Sequence, residues 1–241
     1  MCTLTFIPGK NNNFIITQNR DEAPNREALL PSYYNIDGIR VLYPKDELSG
    51  GTWIGISEKN RVVCVLNGGF VKHQRKASYK KSRGLVANDF MVCEDIEMTI
   101  EEYDFNNIEP FTLVVADWSG GLKLYELVWD GLKKYFSELP LTPRIWSSST
   151  LYTEAMKEER KKWFRNFVLA GRKESTNILK FHKSAGADNI EYGVIMDRGF
   201  VKTTSITQIV KHDNLLDMHY IHLDSGCSRS KNFLTSHIVN G

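Results

Sequence analysis

The sequence predicts an α+β protein in which two antiparallel sheets pack on each other and helices cover them, a four-layer αββα sandwich. Segments typical of strands come first, followed by helical segments, strands, a long helix and strands again. Short polar turns separate most neighbouring strands, as antiparallel pairing requires. No internal repeat and no linker interrupts this order, so we expect residues 1–241 to form one domain.

The first strands are predicted from short apolar or β-branched segments separated by turn residues. They cover residues 3–7, 14–18, 52–57 and 61–66. The first two and the last two each form a hairpin, because only a few turn residues separate them. The polar, proline-containing segment 19–31 is expected to form neither a strand nor a long helix.

Helices are predicted where apolar residues recur at helical spacing. They cover residues 82–93, 96–103, 153–169 and 175–183. The helix at 153–169 is the clearest, since it has an apolar stripe opposite Lys and Glu, and Gly171 is well placed to end it. The later strands are predicted at residues 111–116, 122–129, 132–136, 144–147, 192–196, 200–210 and 218–223.

The overall charge argues against nucleic acid as a partner. The chain has 31 basic and 29 acidic residues and a formal net charge of +2. One basic stretch, residues 72–83, is an exception. It is either a solvated loop or an entrance that attracts an anionic substrate or a lipid head group.

Cysteine spacing and hydropathy limit the other classes of protein. The four cysteines are far apart and form no CxxC pair, so we expect no zinc site, and nothing indicates another metal or a cofactor. No segment approaches the roughly 20 apolar residues of a membrane span. The start of the sequence does not resemble a signal peptide. We therefore expect a cytoplasmic protein with reduced thiols.

Cys2 is the first candidate catalytic residue. Removal of Met1 would give Cys2 a free α-amino group with a pKa of about 7.7–8.0 beside a thiol of about 8.5. One residue would then supply both the nucleophile and its base. The alternative is that Cys2 is a small core residue at the start of a strand.

Three further candidates follow from the two hairpins. The first hairpin returns residues after Gln18 to the neighbourhood of Cys2, where Asp21 can hold the α-amino group and Arg20 can favour the thiolate. The alternative is a loop closed by mutual salt bridges. Asn67 ends the second hairpin and can donate to an oxyanion, although Asn-Gly is also a common turn.

These residues carry a resemblance to a known family. The tetrapeptide Asn-Arg-Asp-Glu at 19–22, together with Met1-Cys2-Thr3, Gly50-Gly51-Thr52-Trp53 and Ser82-Arg83-Gly84, resembles the NRDE family, also called the transport-and-Golgi-organisation family. That family is similar to the N-terminal-nucleophile (Ntn) hydrolases of the choloylglycine hydrolase and penicillin acylase branch. The resemblance implies the αββα fold, Cys2 as nucleophile, Asp21 beside the α-amino group and Asn67 as oxyanion donor.

The resemblance also has departures. Where the acylase branch has an arginine three residues before the aspartate, this chain has Gln18. Ser147-Ser148-Ser149 stands where an asparagine is expected, and Thr204 where an arginine is often found.

The resulting expectation is a cysteine amidohydrolase that acts on a linear, non-peptide amide. Its expected catalytic residues are Cys2, Arg20, Asp21 and Asn67, and its expected substrate contacts are Asn19, Trp53 and Ser148. The alternative is a non-catalytic carrier of haem or of a lipid-like small molecule on the same fold. Candidate pocket residues for the carrier are Tyr33, Tyr34, Trp53 and Trp146, with His73 as a candidate haem ligand.

Overall fold

The structure is a computed structural model that describes residues 2–171 and 173–235. In chain order its strands are β1 Cys2–Pro8, β2 Phe14–Glu22, β3 Ala28–Ile36, β4 Ile39–Asp46, β5 Ile54–Ser57, β6 Arg61–Asn67, β7 Phe111–Asp117, β8 Lys123–Trp129, β9 Lys134–Leu139, β10 Arg144–Ser147, β11 Lys202–His212, β12 Leu215–His222 and β13 Ser228–Leu234. The helices are α1 Arg83–Val92, α2 Ile96–Glu102, α3 Glu154–Leu169 and α4 Ser175–Ser184.

The described strands form two antiparallel sheets, which confirms the predicted α+β class. The first sheet has the order β10-β1-β2-β11-β12-β13, and the second has the order β3-β4-β5-β6-β7-β8-β9. The chain divides into two compact units, Met1–Arg26 with Thr142–Asn232, and Glu27–Leu141 with Phe233–Gly241. The expectation of one domain over residues 1–241 remains a prediction.

The first unit is built around β1 and β2, both inner strands of the six-stranded sheet. Asn11 and Asn12 have φ values of 55° and 60°, which lets the chain turn tightly between β1 and β2. Helices α3 and α4 belong to this unit, and the apolar side chains of Phe164, Ile178 and Phe181 are buried in one cluster with Ile7. This packing fixes the helices relative to the start of the chain.

The second unit is a meander in which each strand pairs with the next along the chain. Two of the segments that carry the family resemblance, Gly50-Gly51-Thr52-Trp53 and Ser82-Arg83-Gly84, meet in this unit. A Cβ atom on Gly51 would lie 2.3 Å from the carbonyl carbon of Gly84, and the amide of Thr52 donates to the Gly84 carbonyl at 3.2 Å. Only glycines permit this approach between the segment before β5 and the start of α1.

The prediction that residues 19–31 contain no strand is wrong. Strand β2 continues to Glu22, and β3 begins at Ala28. Proline is tolerated because β3 is an edge strand, and its register shifts between Leu29 and Ser32, around Pro31. The hairpin of β3 and β4, and strand β13, were not predicted from the sequence.

The strand predicted at residues 192–196 is also wrong. This segment is a compact loop after α4, in which the Gly193 amide donates to the Asn189 carbonyl at 2.7 Å. The carbonyl groups of residues 192–194 accept hydrogen bonds from buried side chains of the first unit, and the Met196 carbonyl accepts from the Thr203 amide.

The described helices were predicted to within two residues from their apolar spacing, and α1, α2 and α3 begin at residues whose side chains cap the first turn. Ser82 accepts from the Leu85 amide and Thr153 from the Met156 amide. Among the residues described, no helix is both long and apolar enough to cross a membrane.

Candidate functional site

Cys2 begins β1, between β10 and β2. It stands opposite Arg20 in the strand pairing, and its carbonyl accepts a hydrogen bond from the Ser148 amide at 3.0 Å. The residue is only 1% exposed. Two strands therefore fix its backbone, and the sheet holds Ser148 directly beside it.

Polar groups surround the buried thiol. Burial is the main cause that raises the pKa of Cys2, and the Asp21 carboxylate raises it further. The positive charge of Arg20 and a hydrogen bond with the Gln18 side chain act in the opposite direction. Since the net effect on the pKa is upward, Cys2 is a neutral thiol at pH 7 in this arrangement.

Arg20 lies on the same face of β2 as Gln18, because side chains alternate along a strand. It is 3% exposed. Its Nη1 donates to the Arg26 carbonyl at 3.0 Å and to Thr204 Oγ1 at 3.3 Å. The guanidinium therefore has fixed hydrogen-bond partners in the segment after β2 and on β11.

Asp21 is fully buried and accepts two hydroxyl hydrogen bonds. The Tyr152 hydroxyl donates to Oδ2 and the Thr203 hydroxyl donates to Oδ1, each at 2.7 Å. Burial raises the pKa of Asp21, while the positive charge of Arg160 and the two hydroxyl donors lower it. The carboxylate is thus held by α3, by β11 and by the loop before α3.

Arg160 is a buried residue that the sequence reasoning missed. It lies on α3, is 0% exposed, and its guanidinium carbon is 3.6 Å from the centroid of the Tyr152 ring. It donates to Thr3 Oγ1 at 2.5 Å, to the Gly193 carbonyl at 2.6 Å and to the Tyr192 carbonyl at 3.0 Å. The sequence could have indicated that Arg160 is buried, because it lies four residues before Phe164 on the apolar stripe of the helix.

Asn19 and His182 form a second buried contact on this side of the sheet. Asn19 Nδ2 donates to the carbonyl groups of His182 and Val194 at 3.0 and 2.8 Å, so its Oδ1 accepts from His182 Nδ1 at 2.6 Å. His182 Nε2 then accepts from the Thr5 hydroxyl at 2.7 Å. These contacts favour a structural role for Asn19 over the predicted substrate contact.

The remaining candidates are placed as follows. Ser148 is 1% exposed, and its hydroxyl lies 2.9 Å from that of Thr150. Asn67 and Trp53 belong to the second unit, where Asn67 ends β6 and Trp53 is 6% exposed just before β5. Arg20 lies opposite Cys2 on β2 and the Ser148 amide binds the Cys2 carbonyl, whereas Asp21 is the next residue after Arg20 and its side chain contacts Tyr152 and Thr203. The catalytic and substrate-binding roles of all these candidates, and of Asn67 and Trp53, stay predictions.

Solved structures of other proteins share the fold of this chain. The C2A mutant of conjugated bile acid hydrolase from Clostridium perfringens is 11% identical, with a TM-score of 0.59 over 98% of this chain and 97% of that chain. Penicillin V acylase from Agrobacterium tumefaciens is 11% identical, with a TM-score of 0.54 over 95% and 85%. The N-acylethanolamine-hydrolyzing acid amidase ortholog of Caenorhabditis elegans is 12% identical, with a TM-score of 0.50 over 87% and 92%. The chain has the fold of the Ntn hydrolases.

The sequence identifies the family. The sequence model of the family Transport and Golgi organisation 2 matches residues 1–190, and the chain belongs to this family. No curated protein matches the chain in sequence. The family match ends before β11, so Thr203 and Thr204, the partners of Asp21 and Arg20, lie outside it.

Proposed function

We propose that this protein is a cysteine amidohydrolase that cleaves a linear, non-peptide amide, with Cys2 as its nucleophile after Met1 has been removed. One observation carries the proposal. The thiol at the start of β1 is buried among polar groups, with Arg20 opposite it and Asp21 electrostatically coupled to it. A cysteine that only filled the core would need none of these polar neighbours. Membership of the family and the Ntn-hydrolase fold give independent support.

The proposed reaction has two halves. The Cys2 thiol transfers its proton to the α-amino group while sulfur bonds to the amide carbon, and the carbonyl oxygen becomes an oxyanion. The α-ammonium then protonates the departing amine, and the C–N bond breaks to leave a thioester. Water attacks the thioester, releases a carboxylic acid and restores the thiol.

The other candidates have supporting roles in this reaction. A backbone N–H stabilises the oxyanion, and one such donor is typically worth about 3 kcal/mol. Asn67 as a further donor stays an expectation from the sequence. Arg20 favours negative charge on sulfur, which offsets part of the effect of burial on the pKa of Cys2. Asp21 orients the α-amino group.

We expect kcat/KM to depend on pH through the α-amino group, because the raised pKa of Cys2 leaves its thiol protonated. Because the thiol is neutral at pH 7, its proton must move during the attack, and the α-amino group must be unprotonated to receive it. Below the pKa of that amine, kcat/KM falls by about tenfold per pH unit. A profile with no acid limb between pH 5 and the pKa of the amine, about 7.7–8.0, would contradict this proton transfer.

The experiment that tests the function is a panel of N-acyl amides incubated with the wild type and with Cys2→Ala. We expect hydrolysis of at least one amide by the wild type, loss of turnover in Cys2→Ala, and an acyl adduct on Cys2 by mass spectrometry. Cys93→Ala is the matched control, since Cys93 lies in the other unit and is also a free thiol. Equal turnover by the wild type and Cys2→Ala contradicts the proposal.

A second candidate function, a carrier of a lipid-like molecule, is supported by a groove in the first unit. Its volume is ≈ 380 Å³, within the range of small-molecule sites. Its lining is mostly apolar, with three basic residues: Pro143, Arg144, Ile145, Trp146, Lys161, Phe164, Arg165, Val168 and Leu169. None of these is a His, Cys, Met or Tyr, so the groove suits a lipid-like ligand and offers no side chain to bind haem iron.

Titration with a long-chain fatty acid and with haem tests the carrier. Fatty-acid binding that Trp146→Ala weakens and Cys2→Ala leaves unchanged supports it. Haem binding that His73→Ala abolishes would instead assign haem to a different site in the second unit. The absence of binding of either ligand rules out this candidate.

A further inference from the structure

Two neighbouring loops of the second unit expose large apolar side chains. Val71 is 72% exposed and Phe70 51% exposed in the loop after β6, and Leu132 is 87% exposed in the turn between β8 and β9. Tyr135, at the start of β9, is 44% exposed. Such residues are unremarkable when scattered singly, but a contiguous group marks an interaction surface.

The two loops are in contact. The rings of Phe70 and Tyr135 meet edge to face, with centroids 4.9 Å apart. A Cβ atom on Gly69 would lie 3.1 Å from the Asp130 Cα atom, so the loop backbones are closely packed. The exposed apolar side chains therefore form one group.

Charge distinguishes this surface from the rest of the basic stretch at 72–83. Five of its basic residues are paired with acidic ones: His73, Arg75 and Arg83 with Glu109, Lys80 with Asp104, and Lys81 with Asp89. Within the described part of the chain, Lys72 and Lys76 have no ion pair, and both are exposed. Lys133 is a third exposed lysine, beside Leu132, and the carboxylate of Asp130 in the same turn interacts with it. Lys72 directly follows Val71 in the chain, so a lysine without an ion pair stands next to an exposed apolar side chain.

We propose that this surface docks the protein on a bilayer that contains anionic lipids. We call it the loop patch and define it as Phe70, Val71, Lys72, Lys76, Leu132 and Lys133. Apolar side chains at the tips of the loops enter the interface between head groups and acyl chains, where their area is removed from water. The lysines remain at the level of the anionic head groups.

The chemistry of the patch favours a bilayer over a protein partner. Lysine is depleted in protein–protein interfaces, where arginine and aromatic residues prevail. A flexible ammonium group suits a diffuse layer of anionic charge, for which no fixed geometry is required. The inference is independent of the proposed hydrolase activity.

The experiment uses the full chain and vesicles of phosphatidylcholine with or without phosphatidylserine. We expect the protein to co-sediment with the vesicles that contain phosphatidylserine, and added salt to release it. Lys72→Glu/Lys76→Glu should lower the partition coefficient by at least about fivefold per lysine. Val71→Ser/Leu132→Ser should lower it several-fold without changing its dependence on salt.

Matched controls use exposed residues outside the patch. Leu48→Ser removes a side chain that is 82% exposed, and Lys10→Glu/Lys162→Glu reverses two exposed charges. Both should bind vesicles like the wild type, and all variants should keep its thermal unfolding temperature.

Three outcomes would overturn the proposal. The first is an absence of vesicle binding by the wild type. The second is an equal loss of binding in the patch variants and in the controls. The third is a change of molar mass by light scattering in the patch variants without lipid, which would assign the surface to contact with a second copy.

Discussion

Four consecutive residues, Asn-Arg-Asp-Glu at 19–22, perform separate tasks in the first unit because side chains alternate along β2. Asn19 binds α4, Arg20 faces Cys2, and Asp21 is held by two hydroxyl groups. Glu22 accepts from the Ala23 amide and lies 3.5 Å from Arg26. Only part of the motif contacts the thiol, and the rest fixes the strand that presents it.

Arg160 should matter for stability far more than its neighbours on α3. Arg160→Met removes a buried positive charge. The buried oxygen atoms that accept hydrogen bonds from Arg160 lose their donor, and Asp21 loses the nearby charge. We therefore expect a loss of about 3–5 kcal/mol in the free energy of unfolding. Urea denaturation measures this loss. Arg165→Met, on the exposed side of the same helix, is the control, and an equal effect of both substitutions would contradict the assignment.

His182 should make stability depend on pH. Burial, and secondarily the charge of Arg160, lower the pKa of His182 from 6.5 to about 3. Between these values the unfolded state binds a proton that the folded state does not, so stability falls as pH falls below 6.5. From pH 6.5 to 4 the wild type should lose about 3 kcal/mol more than His182→Gln, by urea denaturation at each pH. Parallel curves for the two proteins would contradict this.

The sequence predicted part of the candidate site, for a physical reason. Cys2, Arg20 and Asp21 come from one hairpin, and local turn chemistry brings them together. Arg160 and Thr203 reach Asp21 only through tertiary packing, from far along the chain. No local pattern specifies which buried polar groups will become partners.

At the scale of elements, the helices were predictable because the spacing of their apolar residues is a local pattern, whereas the β3–β4 hairpin was not. Pro31 normally opposes a strand, and it is accepted here because β3 is an edge strand with a register shift. Edge position depends on the whole sheet, so the sequence near Pro31 could not show it.

The contact between Gly51 and Gly84 gives a prediction at this scale. Gly51→Ala places a Cβ atom 2.3 Å from backbone that cannot rotate away, so we expect a loss of about 2–3 kcal/mol or more. Thermal unfolding should shift down by about 5–10 °C. Gly120→Ala is the control, because its Cβ atom would meet nothing within 4 Å. Equal unfolding temperatures would show that the two segments separate readily.

At the scale of the whole molecule, the first unit is assembled from distant parts of the sequence. Strand β1 pairs with β10, and β2 pairs with β11. A chain that ends at Gly199 lacks β11–β13 and leaves β2 at an edge. We expect such a truncation to lose protection of residues 1–26 against proteolysis and to keep it over 27–141, whose seven strands pair in sequence. Protection of both regions would contradict this dependence.

The late position of β11 has a consequence during translation. Between the synthesis of Glu22 and that of Lys202, a ribosome that adds about 5–20 residues per second needs roughly 9 to 36 seconds. Throughout that interval the nascent β2 has one open side, which invites pairing with other chains and binding by chaperones.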